Sequence, residues 1–494
     1  MKVLFACTEL YPLLKTGGLA DVATALPTAL HTEGHDVRRL LPAFAALQAG
    51  VEIDGPALTL TGPGGPALLG KLQPAPRLLL GRLIATNEQL YLLDAPALFH
   101  RPGGPYLDPD GREWADNAER FALLSWAAAW LAAGGDPAWQ PDVLHAHDWH
   151  TGLAPLYLAL SGDQPRPPTV FTVHNLAYQG LFPLQTAQRL GLPPSVLQIT
   201  GAEFHGQLSF MKAGLQYAQA ITTVSPRYAV EITTPEQGCG LDGVLRERQG
   251  QLHGILNGVD YAVWNPATDP RIEHRYDASH LEGKARNKSA LQQQFGLRAR
   301  SDALVFGVVS RLSEQKGLHL LPEVLDELVQ RGGQLVVQGT GDPSLVEALQ
   351  QAADRHPGQV GLHFVYDEPT AHRIIAGSDV LLVPSRYEPC GLTQLYAMGY
   401  GTLPLVHAVG GLADTVTDAS LEYLDDGSAS GFVFHGFNSA AMAQAVRRAF
   451  ALQRRPADWT AVQRNAMALR FDWQHAAQAY ATLFTTLMPP APAT

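Results

Sequence analysis

Short, mostly apolar runs recur along this chain, and helix-like stretches separate them. In the first half the runs are Val3–Cys7, Val37–Leu41, Leu90–Leu93, Val143–His147, Val170–His174 and Ala220–Val224. In the second half they are Leu304–Val309, Gln334–Val337, Gly361–Val365, Val380–Pro384 and Leu403–Val406. A strand without polar alternation is buried on both faces, and intervening helices are what cover those faces. The pattern therefore predicts an α/β chain with two doubly wound parallel sheets. Helical stretches fall at Ala20–Glu33 and Asn117–Ala133 in the first set, and at Gly317–Gln330 and Pro343–Arg355 in the second. The stretch from Val51 to Leu93 differs: it is rich in Gly and Pro, and reads as a β-hairpin insertion. At 494 residues the chain exceeds one ordinary core. Domains are expected at 1–250 and 251–470, with a last helix over 471–488. That tail carries one apolar stripe: Trp473, Ala476, Ala477, Tyr480, Leu483, Phe484 and Leu487. Pro489, Pro490 and Pro492 would end its regular structure.

Composition excludes several classes of partner. The net charge is −11, with acids and bases spread along the chain, so no nucleic-acid-binding surface is expected. Local clusters of Lys and Arg can still hold an anion, because distant charge is screened. Cys7, Cys239 and Cys390 form no even framework and no metal-like spacing, which fits a reducing compartment. The N-terminus has Lys2 and only a brief apolar run before Glu9, unlike a signal peptide. The longest apolar candidate for a membrane span, Leu123 to Ala133, is interrupted by Ser125 and too short to cross a bilayer. A cytoplasmic protein with no membrane partner is the expectation.

Two of the buried runs lead straight into glycine-punctuated basic loops. Lys15-Thr16-Gly17-Gly18-Leu19-Ala20-Asp21 follows the first run, and Ser310-Arg311-Leu312-Ser313-Glu314-Gln315-Lys316-Gly317 follows Leu304–Val309. Glycine lets backbone N–H groups approach an anion, a following helix N-terminus favours negative charge, and Lys or Arg neutralises it. The first loop is neither the P-loop pattern nor the Gly-x-Gly-x-x-Gly fingerprint. Two such loops in separate halves suggest one phosphorylated ligand held by both; solvated basic turns are the plain alternative. The pentapeptide Gly-Gly-Leu-Ala-Asp occurs at Gly17–Asp21 and again at Gly410–Asp414.

Polar side chains crowd three further strand ends. His145-Ala146-His147-Asp148-Trp149-His150 invites a metal reading, but a second ligand group at helical spacing is missing. The better reading is a strand end presenting Asp148 and Trp149, with Trp149 either stacking on a sugar ring or packing in the core. His174-Asn175-Leu176-Ala177-Tyr178 ends another strand, where His174 donates to a bound hydroxyl or is a satisfied core histidine. Glu388-Pro389-Cys390-Gly391-Leu392-Thr393 precedes a helix, so the carboxylate suits sugar hydroxyls and the free N–H groups of Leu392 and Thr393 suit phosphate; a plain cap is the alternative.

Taken together these motifs resemble the bacterial glycogen synthases, the starch-synthase-type family of retaining glycosyltransferases. Lys-Thr-Gly-Gly-Leu-Ala-Asp, His-Ala-His-Asp-Trp-His and Val-His-Asn-Leu-Ala-Tyr-Gln-Gly carry the first half of the resemblance. Leu-Asn-Gly-Val-Asp at Leu256–Asp260, Ser-Arg-Leu-x-x-Gln-Lys-Gly, Pro-Ser-Arg-Tyr-Glu-Pro-Cys-Gly-Leu-Thr-Gln and Gly-Gly-Leu-Ala-Asp-Thr-Val carry the rest, in order. The resemblance implies a GT-B fold: two Rossmann-like domains facing a cleft, with the last helix crossing back to the first. It implies transfer of glucose from ADP-glucose to the non-reducing end of an α-1,4-glucan, either glycogen or a malto-oligosaccharide. It implies retention of configuration and neither metal nor other cofactor. Lys15 and Gly18 would contact the donor, and Arg311 and Lys316 its diphosphate. Thr393 would also face phosphate, Tyr366 would stack on adenine, His174 and Glu388 would contact glucosyl hydroxyls, and Asp148 would line the acceptor side. Asp21, Trp149, Asn175 and Asn257, with Cys390, Gly391 and Leu392, complete the implied substrate-binding set. Wider families of this fold carry a second glutamate eight positions after the first; here that position is Tyr396.

Three other readings remain open on the residues alone. A nicotinamide oxidoreductase would want the missing dinucleotide fingerprint. A glucan-binding protein with a dead site would not need its basic residues and Glu388. A glucan phosphorylase would need pyridoxal phosphate on a lysine.

Overall fold

The computed structural model describes residues 1–62, 64–162 and 166–488. The expected end at Pro489, Pro490 and Pro492 lies outside them. The chain forms two units. The first comprises residues 1–224 and 229–256 and the chain from Trp473 onward; the second comprises 225–228 and 257–472.

In the first unit the strand Lys2–Ala6 lies inside a ten-stranded sheet, counted among the described residues. It pairs in parallel with Asp36–Pro42 on one side and with Val143–His147 on the other. Beyond Val143–His147 come Thr169–Val173, Ala220–Thr223 and Leu252–Gly254, all parallel. The chain thus leaves its first strand in one direction and later returns to build in the other. Where strand order reverses, the loops at the carboxyl ends diverge and leave a crevice, the usual ligand position in open α/β sheets. Here that point lies between Lys2–Ala6 and Val143–His147.

The stretch read as a hairpin insertion does contain a hairpin, Arg77–Leu83 with Gln89–Asp94, and Val51–Ile53 pairs beside it. However, Gln89–Asp94 also pairs in parallel with Asp36–Pro42, so the stretch continues the main sheet. The helix Trp473–Leu487 belongs to this unit and packs on the helix Gly18–Thr32. It buries Trp473, Ala476, Ala477, Tyr480, Leu483 and Phe484, and the Gln474 and Gln478 amides donate to Glu33.

The second unit repeats the plan with six parallel strands. From one edge these are Val360–His363, Gln334–Gln338, Val305–Val309, Val380–Val383, Leu403–His407 and Phe432–Phe434. Its strand order reverses between Val305–Val309 and Val380–Val383. One helix starts later than its sequence suggests. Gly317 sits at φ +68°, Glu314–Lys316 and Leu318–Leu320 form 3-10 turns, and the α-helix runs only from Leu321 to Gln330. Pro322 suits its first turn, where no N–H is needed.

Candidate functional site

The reversal point of the second unit gathers the loops after Val305–Val309 and Val380–Val383. Gly317 makes their approach possible. A Cβ there would sit 1.9 Å from the Pro384 carbonyl oxygen, and the backbone is left-handed. The Arg386 N–H donates to the Gln315 carbonyl at 2.8 Å, which stitches the loops together. Lys316 Nζ then reaches Glu388 Oε2 at 2.5 Å, and Ser385 Oγ donates to the same oxygen at 2.8 Å. The Glu388 side chain is 8% exposed and that of Lys316 21%. A carboxylate this buried needs such partners. Arg311 is exposed on the same loop, with a guanidinium N–H directed to Gln315 Oε1 at 3.5 Å.

The segment 388–393 is rigidly seated. Gly410, at φ +44°, places its Cα so close that a Cβ would lie 1.9 Å from the Glu388 carbonyl oxygen, and the Gly411 N–H donates to that oxygen at 3.1 Å. The buried Gln394 amide donates to the carbonyls of Cys390 at 3.1 Å and Gly391 at 2.9 Å. Leu392 and Thr393 open the short helix Thr393–Gly399. Burial pushes the Cys390 thiol up to about 12, partly offset by a hydrogen bond from the Asn257 N–H. Asn257 and Cys390 are therefore neighbours, as are Lys316 and Glu388. Tyr366 stands on a different loop, after Val360–His363, and is 51% exposed. Tyr396, at the position of the missing second glutamate, is part of a core stack. Its ring lies 3.9 Å from Trp264 at 3°, and Trp264 lies 3.7 Å from His372 at 9°.

In the first unit, the loop after Lys2–Ala6 is organised by Glu9, which is buried. Its carboxylate accepts from the Thr16 N–H at 2.6 Å, the Gly17 N–H at 3.1 Å, the Thr16 hydroxyl and the Tyr106 hydroxyl at 2.6 Å. Sequence reading missed Glu9 and Tyr106; the acid directly after a buried strand was the available signal. Glu9 already takes N–H groups that a bound anion would want. Gly18 begins the helix Gly18–Thr32. Lys15 Nζ pairs with Asp21 Oδ1 at 2.8 Å, both partly exposed, and lies over the Tyr11 ring at 5.1 Å.

Across the same reversal point, Asp148 follows Val143–His147 with φ +56° and ψ 178°. That region is close to one reserved for glycine, and such strain is typical of positions held for function. Asp148 Oδ1 accepts from the N–H groups of His174 at 2.8 Å and Asn175 at 3.4 Å, so these three residues are brought together. Burial pushes the Asp148 carboxyl up to about 7; the two N–H groups oppose the shift and the Glu9 charge adds to it. His174 Nε2 meets His147 Nδ1 at 2.9 Å, and burial pushes His174 down to about 3. Trp149 packs against Phe121 at 5.0 Å, His150 at 4.2 Å and Phe182 at 5.9 Å, inside an aromatic cluster. Among the described residues no group of three His, Cys, Asp or Glu side chains could hold a metal ion, and no helix is long and apolar enough to cross a membrane.

This geometry has close counterparts. Residues 2–247 match the family described as starch synthase catalytic domain, and residues 290–466 match glycosyl transferases group 1. A glycogen synthase of Albidiferax ferrireducens is 57% identical over 493 residues, covering 99% of this chain and 100% of its own. One from Francisella philomiragia is 51% identical over 492 residues, with coverage of 99% and 100%. Among solved structures, the catalytic domain of starch synthase IV from Arabidopsis thaliana, bound to ADP and acarbose, superposes with a TM-score of 0.84. It is 30% identical and covered over 99% of both chains. Sucrose-phosphate synthase from Thermosynechococcus elongatus, 18% identical and covered over 98% of both chains, has a TM-score of 0.60 and shares the fold. The fold is of the GT-B class.

Proposed function

This chain belongs to the glycogen synthase family of glucosyltransferases, and on that premise we propose that it moves glucose from ADP-glucose to the 4-hydroxyl at the non-reducing end of an α-1,4-glucan, glycogen or a malto-oligosaccharide. The observation that carries the residue assignment is the contact of Lys316 with Glu388 at the reversal point of the second sheet. An ammonium and a carboxylate held together there can serve the two ends of one substrate. Lys316 turns to the diphosphate and Glu388 to the glucosyl hydroxyls. The ADP bound to the starch synthase IV relative supports an adenosine diphosphate leaving group.

The bond that breaks joins glucosyl C1 to the β-phosphate oxygen. Positive charge develops on the sugar and negative charge on the departing ADP. Lys316 and Arg311 stabilise that second charge, with further help from Lys15 and the N–H groups of Leu392 and Thr393. The acceptor 4-hydroxyl attacks the face that ADP leaves, so configuration is retained. Its proton passes to the departing phosphate oxygen, and ADP is released. Ser385 Oγ, which donates to Glu388 at 2.8 Å, keeps a partner on that side chain as Lys316 turns to the diphosphate. His174, Asn175 and Asp148 serve sugar hydroxyls from the first unit, Asp148 on the acceptor side. Tyr366, exposed at a strand end, is the proposed stacking surface for adenine. Gly18, Asp21 and Trp149 shape the first unit's loops, and Asn257, Cys390 and Gly391 hold the segment that carries Glu388. The free cysteines Cys7, Cys239 and Cys390 support a cytoplasmic location.

The test is a donor comparison. ADP-glucose, UDP-glucose and GDP-glucose are each incubated with glycogen, and label entering polymer is followed. Faster incorporation from ADP-glucose is expected. Incorporation only from another donor would overturn the donor assignment, and no incorporation from any would overturn the reaction.

A further inference from the structure

His174 does not stand alone behind its site. Its Nε2 meets the Nδ1 of His147 at 2.9 Å, on the neighbouring strand. We propose that His147 is a positioning residue that holds the His174 ring with its proton on Nδ1, making His174 a fixed hydrogen-bond donor to substrate. The substrate clause rests on the glucosyl-transfer reading above; the tautomer clause does not.

One proton lies between the two facing nitrogens, provided both rings are neutral. Burial supplies that condition: it pushes His174 down to about 3 and His147 well below its ordinary value, with the neighbouring rings adding to the effect on His147. Two arrangements remain. If His174 donated, the His147 proton would sit on Nε2. That atom is buried and has no hydrogen-bond partner among the described residues. The ring is closed in by Phe5, with centroids 3.9 Å apart, and by His145 at 4.0 Å. A buried N–H without an acceptor is the rarer and costlier defect; a bare lone pair is better tolerated. So His147 keeps its proton on Nδ1 and donates to His174 Nε2. The His174 proton is then on Nδ1, which makes no hydrogen bond among the described residues and is not one of the buried unpartnered atoms.

His145 obeys the same rule one turn of the pleat away. Its Nε2 meets the Thr172 hydroxyl at 2.6 Å, while its Nδ1 is the buried nitrogen left bare. Both interior histidines thus bury a lone pair and spend their one N–H on a partner. His147 is further fixed by its backbone, whose N–H donates to Thr151 Oγ1 at 2.6 Å and whose carbonyl accepts from the same hydroxyl at 2.8 Å. The chemical consequence is specific. A His174 ring with its proton on Nδ1 donates to a sugar oxygen but cannot take a proton from a hydroxyl at that atom. It binds and orients, and the base lies elsewhere.

The experiment is nitrogen-15 NMR of histidine side chains in the full chain at neutral pH, with His174 assigned through H174Q. The expected spectrum shows His174 bonded to hydrogen at Nδ1 and bare at Nε2. A proton on Nε2, or on both nitrogens, would overturn the proposal whether or not the chain makes glucan. Kinetics give the second arm. H147N restores an N–H donor near the Nδ1 position and should keep turnover close to that of the unchanged chain. H147L removes the donor and should lower kcat on the order of 10- to 100-fold, with less change in the KM for ADP-glucose. Equal losses in H147N and H147L would overturn the positioning role. Absence of glucan synthesis by the unchanged chain would sink the glucosyl-transfer reading and leave the ring measurement to decide the tautomer.

Discussion

The two glycine-punctuated basic loops look alike in sequence and are wired differently. In the first unit, Lys15 pairs with Asp21, six positions on, and the two side chains are 28% and 17% exposed. The loop's N–H groups at Thr16 and Gly17 are already taken by the Glu9 carboxylate. In the second unit, Lys316 pairs with Glu388, 72 positions on, which is 8% exposed and shares Ser385. A local, wetted pair is screened and contributes little; a distant, buried pair must be built by the fold. The repeated Gly-Gly-Leu-Ala-Asp makes the same point. Both copies open a helix, yet Asp21 meets Lys15 while Asp414 accepts the backbone N–H of Arg227. Similar words in the chain acquire different roles from what packs against them. The second loop is thus the stronger candidate for chemistry, and the first for placement.

Four substitutions probe that contrast. Lys316→Ala should have the largest effect, lowering kcat on the order of 10²- to 10³-fold with little change in glycogen binding, measured by initial rates and by affinity electrophoresis. Turnover within a factor of two would remove Lys316 from the chemistry. Glu388→Gln keeps the shape and removes the charge. It should cost about 10²-fold in kcat, and donor hydrolysis should fall with it. Gly410→Ala places a methyl against the Glu388 carbonyl and forbids the left-handed backbone, so it should destabilise the second unit by more than about 1 kcal/mol in denaturant melts. An unchanged melt would show that the loops are not held by that approach. Lys15→Ala should be mildest: stability within about 1 kcal/mol and a rise in the KM for ADP-glucose that shrinks with added salt.

Asp148 gives the comparison a pH axis. Its folded carboxyl is raised to about 7 by burial, whereas an unfolded aspartate loses its proton near 4. The folded state therefore holds a proton that the unfolded chain has lost, and this contribution to stability is present at low pH and lost as pH rises through about 7. Asp148→Asn removes the titration. The melting temperature of the variant minus that of the unchanged chain should increase between about pH 4 and 7 and then level. A difference independent of pH would show that the carboxyl is not held protonated.

The parallel strands were legible as short, mostly apolar runs set between helix-like stretches; Val143–His147 has the same bounds in sequence and structure. Helix Pro343–Arg355 was equally plain, with Pro343 at its first position. The first basic loop was readable from glycine and a preceding strand, but the helix after it, expected from Ala20, begins two residues earlier at Gly18. What was not readable depends on distance along the chain. Nothing near Lys316 announces Glu388, and nothing near Glu9 announces Tyr106, 97 positions away. Trp149 reads equally well as a sugar platform or a core ring, and only the structure shows it half-buried against Phe121 and His150. The positive φ of Asp148 is invisible too, because aspartate carries no mark of the glycine-like backbone it adopts here. Edge strands such as Phe432–Phe434 are too short for a periodic signal.

The position of the diphosphate is the decisive unknown of this site. A crystal structure of the chain with ADP decides it. The expected result is a β-phosphate oxygen within about 3 Å of Lys316 Nζ, with Arg311 beside it and Glu388 released from its lysine. A diphosphate seated away from Lys316, with the Lys316–Glu388 contact still closed, would contradict it.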